Sequence, residues 1–296
     1  RDLVRSRGLG DVYKRQNKFL ANIRETDAII HVLRCFDDDN ITHVDGTVDP
    51  VRDKEIIDYE LLIKDLETVE SRMARTQKQA QTGGDKVAKM QYEVLSRYYE
   101  ALKEGKAART VEFDTIDEQK FARDLFLLTN KPVLYVCNVD DASAVTGNAY
   151  VDAVRAAIAE ENAQLLVVAA QTEAEIAELD TYEDRQMFLD ELGIAESGLD
   201  RLIKCSYSLL GLISFLTYGK DECRAWTIKK GTKAPQAAGK IHTDIERGFI
   251  RAEVIAYDDM IKYGGVNAAK EKGQLRSEGK EYVVQDGDMI YFRFNV

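Results

Sequence analysis

What is missing from this sequence narrows it first. Nowhere in its 296 residues does G-x-x-x-x-G-K-[ST] occur, the loop whose backbone N–H groups cradle phosphates. The near miss, Ala234-Pro-Gln-Ala-Ala-Gly-Lys-Ile241, has Ala at the first glycine and Ile at the hydroxyl position, so it lacks both the permissive backbone and the magnesium ligand. Cysteine is scarce: Cys35, Cys137, Cys205 and Cys223 form no C-x-x-C pair and have no His at ligand spacing. A zinc site and a disulfide framework are thereby excluded, and all four are expected to be buried thiols. No apolar run approaches the roughly 18–20 residues of a spanning helix, and no stretch reads as a secretory signal. The cytoplasm is the expected compartment, with no membrane partner.

The net charge of −11 argues against a surface that is one nucleic-acid sleeve, and no DNA contact is expected. The charge is uneven. Residues 211–296 hold 14 Lys and Arg against 12 Asp and Glu, a net of +2, which leaves −13 for the first 210. The later part is the better polyanion contact, although +2 over that length is also an ordinary solvated surface. Its Lys229, Lys230, Lys233, Lys240, Arg247 and Arg251 interleave with Trp226 and Phe249. That pattern suits either an RNA face with aromatic platforms or a core Trp and Phe beneath surface lysines.

Near-continuous apolar runs at Asp27–Phe36, Val133–Cys137 and Leu165–Ala170 read as strands buried on both faces. Helical spacing of Val151, Val154, Ala157 and Ile158 lies between the last two, which predicts a strand-helix-strand crossover. The segment after Pro50 differs in kind. Leu62, Leu66, Val69 and Met73, then Val87, Met90 or Gln91, Val94, Tyr98 and Leu102, flank a break at Thr82-Gly83-Gly84-Asp85. The spacing predicts an antiparallel helical hairpin with a coiled-coil seam, inserted between α/β strands. After Gly211, strands are expected at Cys223–Ile228 and Ile250–Tyr257, with a helical stretch from Ala237 to Arg247. A closing hairpin of Tyr282–Val284 with Met289–Asn295 completes a small mixed sheet of ubiquitin-like β-grasp type.

Asn138-Val139-Asp140-Asp141 follows the second apolar run. In GTPases with an N-K-x-D loop the Asn ties neighbouring loops, the Lys stem covers the base and the Asp accepts from the guanine edge; here Val139 replaces the Lys. A plain Asx turn has the same composition, so both readings stand on this segment alone. Val168-Ala169-Ala170, at the end of the next strand, occupies the place of a small-residue loop whose backbone approaches a base. His31 reads as a core histidine. His43, in a polar stretch, is more exposed and can act on a bound water, as any loop histidine can. His242 reads as a surface residue on the C-terminal helix.

Asn17–Phe36, the N-x-x-[DE] loop, Arg224–Ile228, Ala234–Asp244 and the ending Asp286–Val296 together resemble the Obg-like ATPases of the YchF branch, over residues 17–296. The resemblance implies an α/β P-loop NTPase G domain, an inserted antiparallel coiled coil and a C-terminal TGS domain of β-grasp fold. In this chain those would be 17–50 with 110–210, 51–109 and 211–296. It further implies ATP with Mg2+ as cofactors, hydrolysis of ATP in preference to GTP, and the ribosome or ribosomal RNA as partner. Asn138, Val139 and Asp141 fall on the base-recognition motif, and His43 falls on the histidine held to position water.

Two departures bear on function. The family usually has Glu where this chain has Asp141, which restores a GTPase-like fourth position and leaves a GTPase as an alternative. Arg1–Gln16 match nothing in the family pattern and read as a scar replacing a lost N-terminus. The expectation is a chain that cannot hydrolyse ATP as given, because phosphate clamping and magnesium carry most of this chemistry. A nonenzymatic RNA- or ribosome-binding adaptor is the other alternative.

Overall fold

The computed structural model describes residues 20–43, 46–81, 85–161, 163–219 and 222–295. The expectation about residues 1–16, the start of the Asn17–Phe36 segment and the Thr82-Gly83-Gly84 break lie outside the described residues. The chain divides between Cys205 and Ser206 into two compact units.

In the first unit β1 (Ile29–Arg34), β2 (Val133–Asn138) and β3 (Gln164–Val168) form a sheet in that order. Both pairings are parallel, with Ile29 opposite Val133 and Leu134 opposite Gln164. Parallel neighbours need long crossovers, and the chain supplies them as helices. Between β1 and β2 it runs out through α1 (Pro50–Gln81) and back through α2 (Lys86–Lys103) and α3 (Ile116–Asp124). Between β2 and β3 runs α4 (Ala149–Ala157). Pro50 opens α1, where its missing N–H costs nothing, and Asp53 complements the helix dipole in the first turn. Asp85 caps α2 by accepting from Val87 and Ala88, each at 3.0 Å.

Strand β2 is buried throughout from Val133 to Cys137, as its apolar run predicts for a central strand. Strand β1 departs from expectation. Leu33 is buried, but Ile30 and Val32 on the other face are 47% and 61% exposed. A sheet face is buried only where a layer packs over it, and among the described residues the Ile30 and Val32 face of this edge strand is largely uncovered. The covered face packs Leu33, Tyr135 and Cys137 against Val151 and Val154 of α4 and Ile158 just beyond it.

Helices α1 and α2 pack through Leu62, Leu66, Val69 and Met73 against Met90, Val94, Leu95, Tyr98 and Leu102, together with Phe113, Ala122 and Leu127. Met90 joins the seam, and Leu95 is fully buried while Val87 is exposed. At the base of this pair two polar clusters tie α1 to the sheet. Asp65, fully buried, accepts from the backbone N–H groups of Leu128 and Thr129. Glu161 receives Lys54 Nζ at 2.6 Å, Tyr135 Oη at 2.8 Å and Arg109 at 3.3 Å.

Helices α5 (Ala170–Glu178), α6 (Tyr182–Leu192) and α7 (Gly198–Leu209) follow β3. The second unit then builds a five-stranded sheet from β4 (Leu212–Tyr218), β5 (Cys223–Lys229), β6 (Phe249–Ala256), β7 (Arg276–Glu278) and β8 (Asp288–Phe294). The order is β5-β4-β8-β6-β7, with β4 and β8 parallel and the other pairs antiparallel. Its core sets Phe215, Val254, Ile290 and Phe292 against Ala234, Ala237 and Ala238 of α8 (Ala234–Ile241). The expected single helix through Arg247 is two: His242 leaves the helical conformation and caps α9 (Thr243–Arg247), accepting from the Asp244 N–H at 3.2 Å. The expected closing hairpin is also absent. Met289 to Phe294 pair with β6 and β4, and Val283 makes only an isolated bridge to Lys233. Cysteine burial holds for Cys35 and Cys137, but Cys205 is half-buried and Cys223 is exposed near the edge-strand start.

Candidate functional site

Open parallel sheets present their ligand-binding loops at the carboxyl ends of the strands. In the first unit the end of β2 is the hub. The Asn138 carbonyl accepts the Cys35 N–H at 2.8 Å, and its side-chain Oδ1 accepts the Ala170 N–H at 3.0 Å. Val139 donates its N–H to the Val168 carbonyl at 2.9 Å. Asn148 adds a cross-tie, donating Nδ2 to the Cys35 carbonyl at 2.8 Å while its Oδ1 accepts from Val151 at the start of α4. The ends of the three strands are therefore tied by a backbone bond between β1 and β2 and by the Asn138 side-chain amide between β2 and the loop after β3.

Beyond Asn138 the chain makes one tight turn, Asp141–Ser143, capped by Asp140, whose Oδ1 accepts the Ser143 N–H at 2.8 Å. Asp141 projects from that turn, exposed, and one oxygen of its carboxylate accepts the hydroxyl of Thr172, which is 4% exposed on the first turn of α5. Two bonds thus span the β2 and β3 loops side by side: Asn138 to Ala170 and Asp141 to Thr172.

Of the residues expected at a base site, Asn138, Val139, Asp141, Val168, Ala169 and Ala170 are brought together by this geometry. Their roles differ. Val139 and Ala169 are buried, with Val139 in the core beneath the loop. Val139 therefore cannot lie over a base as the lysine of N-K-x-D does, because its short apolar side chain gains more by facing the core. The Ala170 N–H is committed to Asn138. The Asp141 carboxylate is presented outward at this loop, beside the exposed Asp140 that caps the turn.

His43 belongs to a second cluster. The loop that leads to it is laced by Arg34, whose guanidinium donates to the carbonyls of Phe36, Ile41 and Asp38 at 3.1, 2.9 and 3.3 Å. His43 Nε2 then lies 2.9 Å from Asp53 Oδ2 on the first turn of α1, and Arg52 grips the other Asp53 oxygen at 2.9 and 3.1 Å. The expected exposed histidine is only 17% exposed as a result. His31 packs beside the Tyr135 ring, and burial chiefly lowers its pKa, so it is a neutral core histidine.

The other expectations sort as follows. Gly239 lies inside α8 with the Glu246 carboxylate against it, so the near-miss loop is a helix. On the basic face of the second unit, Phe249 is core and not a platform, because it packs beneath the sheet with Phe292. Trp226 donates to Thr217 at 2.9 Å and carries Arg224 over its ring at 4.3 Å. Lys233 and Arg251 are paired with Glu281 and Glu253, whereas Lys230, Lys240 and Arg247 are exposed. His242 is exposed at the helix break.

Sequence reasoning missed Thr172, Asn148 and Asp53. Asn148 was findable as an N-cap before an amphipathic stretch. Asp53 was findable only as a first-turn acid after Pro50, and Thr172 carries no local signal, since it matters through a partner 31 positions away.

A purine fits what the first cluster offers, an outward carboxylate on a braced loop. Magnesium is different: among the described residues no group of three or more His, Cys, Asp or Glu assembles to hold a metal ion. Among the described residues, too, no helix is long and apolar enough to cross a membrane.

Comparison with known proteins gives consistent matches. The family described as "YchF-GTPase_C: Protein of unknown function (DUF933)" matches residues 212–295. The chain is 57% identical over 282 residues to the ribosome-binding ATPase YchF of Bacillus subtilis (strain 168), covering 95% of this chain and 76% of that protein. It is 40% identical over 281 residues to Obg-like ATPase 1 of Caenorhabditis elegans, covering 94% and 71%. The solved structure of the Schizosaccharomyces pombe YchF GTPase superposes with a TM-score of 0.83 at 35% identity, covering 94% of this chain and 75% of that one.

Proposed function

The chain belongs to the YchF family of Obg-like ATPases, and from that membership we propose that it carries the base-reading and partner-binding parts of a cytoplasmic ATPase that works on the ribosome. The observation that carries the nucleotide reading is the pair of bonds Asn138–Ala170 and Asp141–Thr172, which brace an exposed carboxylate at the carboxyl ends of a parallel sheet. Asp141 accepts from the base edge in this reading, Asn138 holds the two loops in register, and Val168, Ala169 and Val139 shape the floor. His43, oriented by Asp53, positions water when a triphosphate is bound, as imidazoles held by a carboxylate do elsewhere.

The α1–α2 pair acts as an inserted coiled coil, and the second unit as a TGS domain. Its strand order, with the first and last strands central and parallel, is that of a β-grasp sheet, which supports this assignment. Relatives at this identity are named ribosome-binding. The ribosome or its RNA is accordingly the partner we assign, through the exposed Lys230, Lys240 and Arg247 side of the second unit.

Because this polypeptide has no phosphate loop in its sequence, its own ATP turnover is expected to be absent. Saturation-transfer NMR of the 296-residue chain with ATP, repeated on Asp141→Ala, tests the site. Transfer to the purine protons that disappears in the variant is expected; transfer that is equal in both sinks the assignment. Robust magnesium-dependent turnover by this chain would separately refute the expected inactivity.

A further inference from the structure

The buried hydroxyl of Thr172 is a polar group that neither the motif nor the core explains. A carboxylate with both oxygens open presents the two parallel acceptors that the guanine edge needs for its ring N–H and amino group. The adenine edge offers only one donor, its amino group, beside an acceptor nitrogen. A hydroxyl held against one carboxylate oxygen occupies an acceptor site there and fixes the plane of the group, leaving the second oxygen as the fully open one.

We propose that Thr172 is the positioning residue that sets purine choice, holding Asp141 in a one-acceptor orientation that suits adenine over guanine. The proposal rests on the base site described above. Thr172 is well placed for the task. Its β-branched side chain is restricted at χ1, and it is 4% exposed, so its hydroxyl direction is fixed by packing. The start of its helix is itself pinned by the Ala170 N–H bond to Asn138. Asp141, in contrast, is exposed on a short turn and has the freedom to reorient when released. This arrangement answers the difficulty posed by Asp141, whose length is that of a guanine reader: the neighbour takes one acceptor site and sets the plane of the carboxylate, turning it from the paired geometry guanine needs.

The test is competition of ATP and GTP for the full chain, read by saturation-transfer NMR, in wild type, Thr172→Val, Thr172→Ser and Asp141→Ala, with thermal midpoints measured in parallel. Valine keeps the shape and removes the hydroxyl. Its ATP-to-GTP affinity ratio is expected to move toward GTP by about fivefold, the worth of one net hydrogen bond, while serine keeps the wild-type ratio. A merely structural role would lower both affinities or the midpoint and leave the ratio unchanged. If Asp141→Ala erases the wild-type preference but Thr172→Val leaves it intact, the Thr172 proposal falls and the base site stands. Wild-type preference for GTP likewise overturns the proposal. If wild type binds neither nucleotide, or Asp141→Ala binds as wild type does, the base site itself is wrong and this inference goes with it.

Discussion

Asp65, in the middle of the long helix α1, accepts both the backbone N–H and the hydroxyl of Thr129, each at 2.7 Å. Its other oxygen takes the Leu128 N–H at 2.8 Å, and Arg24 stands 3.8 Å away. A carboxylate with no exposed surface is costly unless its oxygens are satisfied, and here every bond comes from the loop that leads into β2. The helical pair is thereby fastened to the loop that enters β2 of the three-stranded sheet. Burial pushes the Asp65 pKa up, against the lowering pull of those bonds and of Arg24.

Removing that fastening should be expensive. Asp65→Ala leaves two buried amides without acceptors and takes away the group to which the Thr129 hydroxyl donates, although that oxygen still accepts the Ala108 N–H at 3.0 Å, and the expected loss is about 3 kcal/mol. Urea unfolding followed by circular dichroism measures it. A loss of a few tenths would mean that water or a neighbour replaces the carboxylate.

Glu161 is a second fastening, with a pH signature of its own. Burial works to raise its pKa, but Lys54, Tyr135 and Arg109 outweigh it, and the net shift is below the ordinary 4.5. An acid whose folded pKa is depressed contributes stability above its unfolded value and loses it as pH falls through the folded one. Stability should therefore drop as pH is lowered below about 4.5. Glu161→Gln should be less stable at neutral pH yet show a flatter dependence in that window. Urea midpoints between neutral and acid pH decide it; parallel curves for the two proteins would remove Glu161 from the account.

Adjacent residues of β1 should respond in opposite ways. Leu33 is 2% exposed in the core, so Leu33→Ala should cost about 3 kcal/mol. Val32 is largely exposed, and Val32→Thr should fall within about 0.5 kcal/mol. The exposed Ile30 and Val32 face of this strand, an edge among the described residues, also offers apolar surface to another copy. Val32→Lys should lower the apparent mass in concentrated solution, as sedimentation velocity would register; an unchanged mass would mean the face does not self-associate.

How far the sequence reveals this architecture depends on whether a feature is local. Strand β2 is legible because five successive apolar residues suffice to mark a central strand. The α1–α2 seam is legible because Leu62, Leu66, Val69 and Met73 repeat at helical spacing. The pairing of β8 is not legible. Tyr282–Val284 looks like the nearer partner, and nothing local announces that Leu216 and Met289 meet in parallel. At the candidate site Asn138 and Asp141 follow a strand in a known spacing, whereas Thr172 joins them across 31 positions of chain. Val139 shows the converse: its motif position suggests a base contact, and its chemistry sends it into the core.

Gly248 illustrates a requirement that comes from space and not from φ. A Cβ there would lie 2.1 Å from the carbonyl oxygen of Asn295, whose N–H in turn donates to the Gly248 carbonyl at 2.9 Å. Gly248→Ala must push the end of β8 away and should cost about 2 kcal/mol. Gly279→Ala, with nothing within 4 Å, is the control and should be close to neutral. Thermal unfolding of both variants checks the contrast, and equal midpoints would contradict the close approach.

The bond from Ala170 to Asn138 can be tested without any nucleotide. Asn138→Ala deletes the acceptor of the Ala170 N–H but leaves the Val139 N–H on the Val168 carbonyl, so the two loops lose a side-chain tie and keep a backbone one. Amide exchange at Ala170 should accelerate by about fivefold or more, in line with one net hydrogen bond, while exchange at Val139 stays close to wild type. If both amides accelerate together, the loops open as one unit and Asn138 is a structural keystone of the strand ends. If neither changes, another group takes over the Ala170 amide, which its own helix cannot bond at the first position, and Asn138 does not hold the two loops in register.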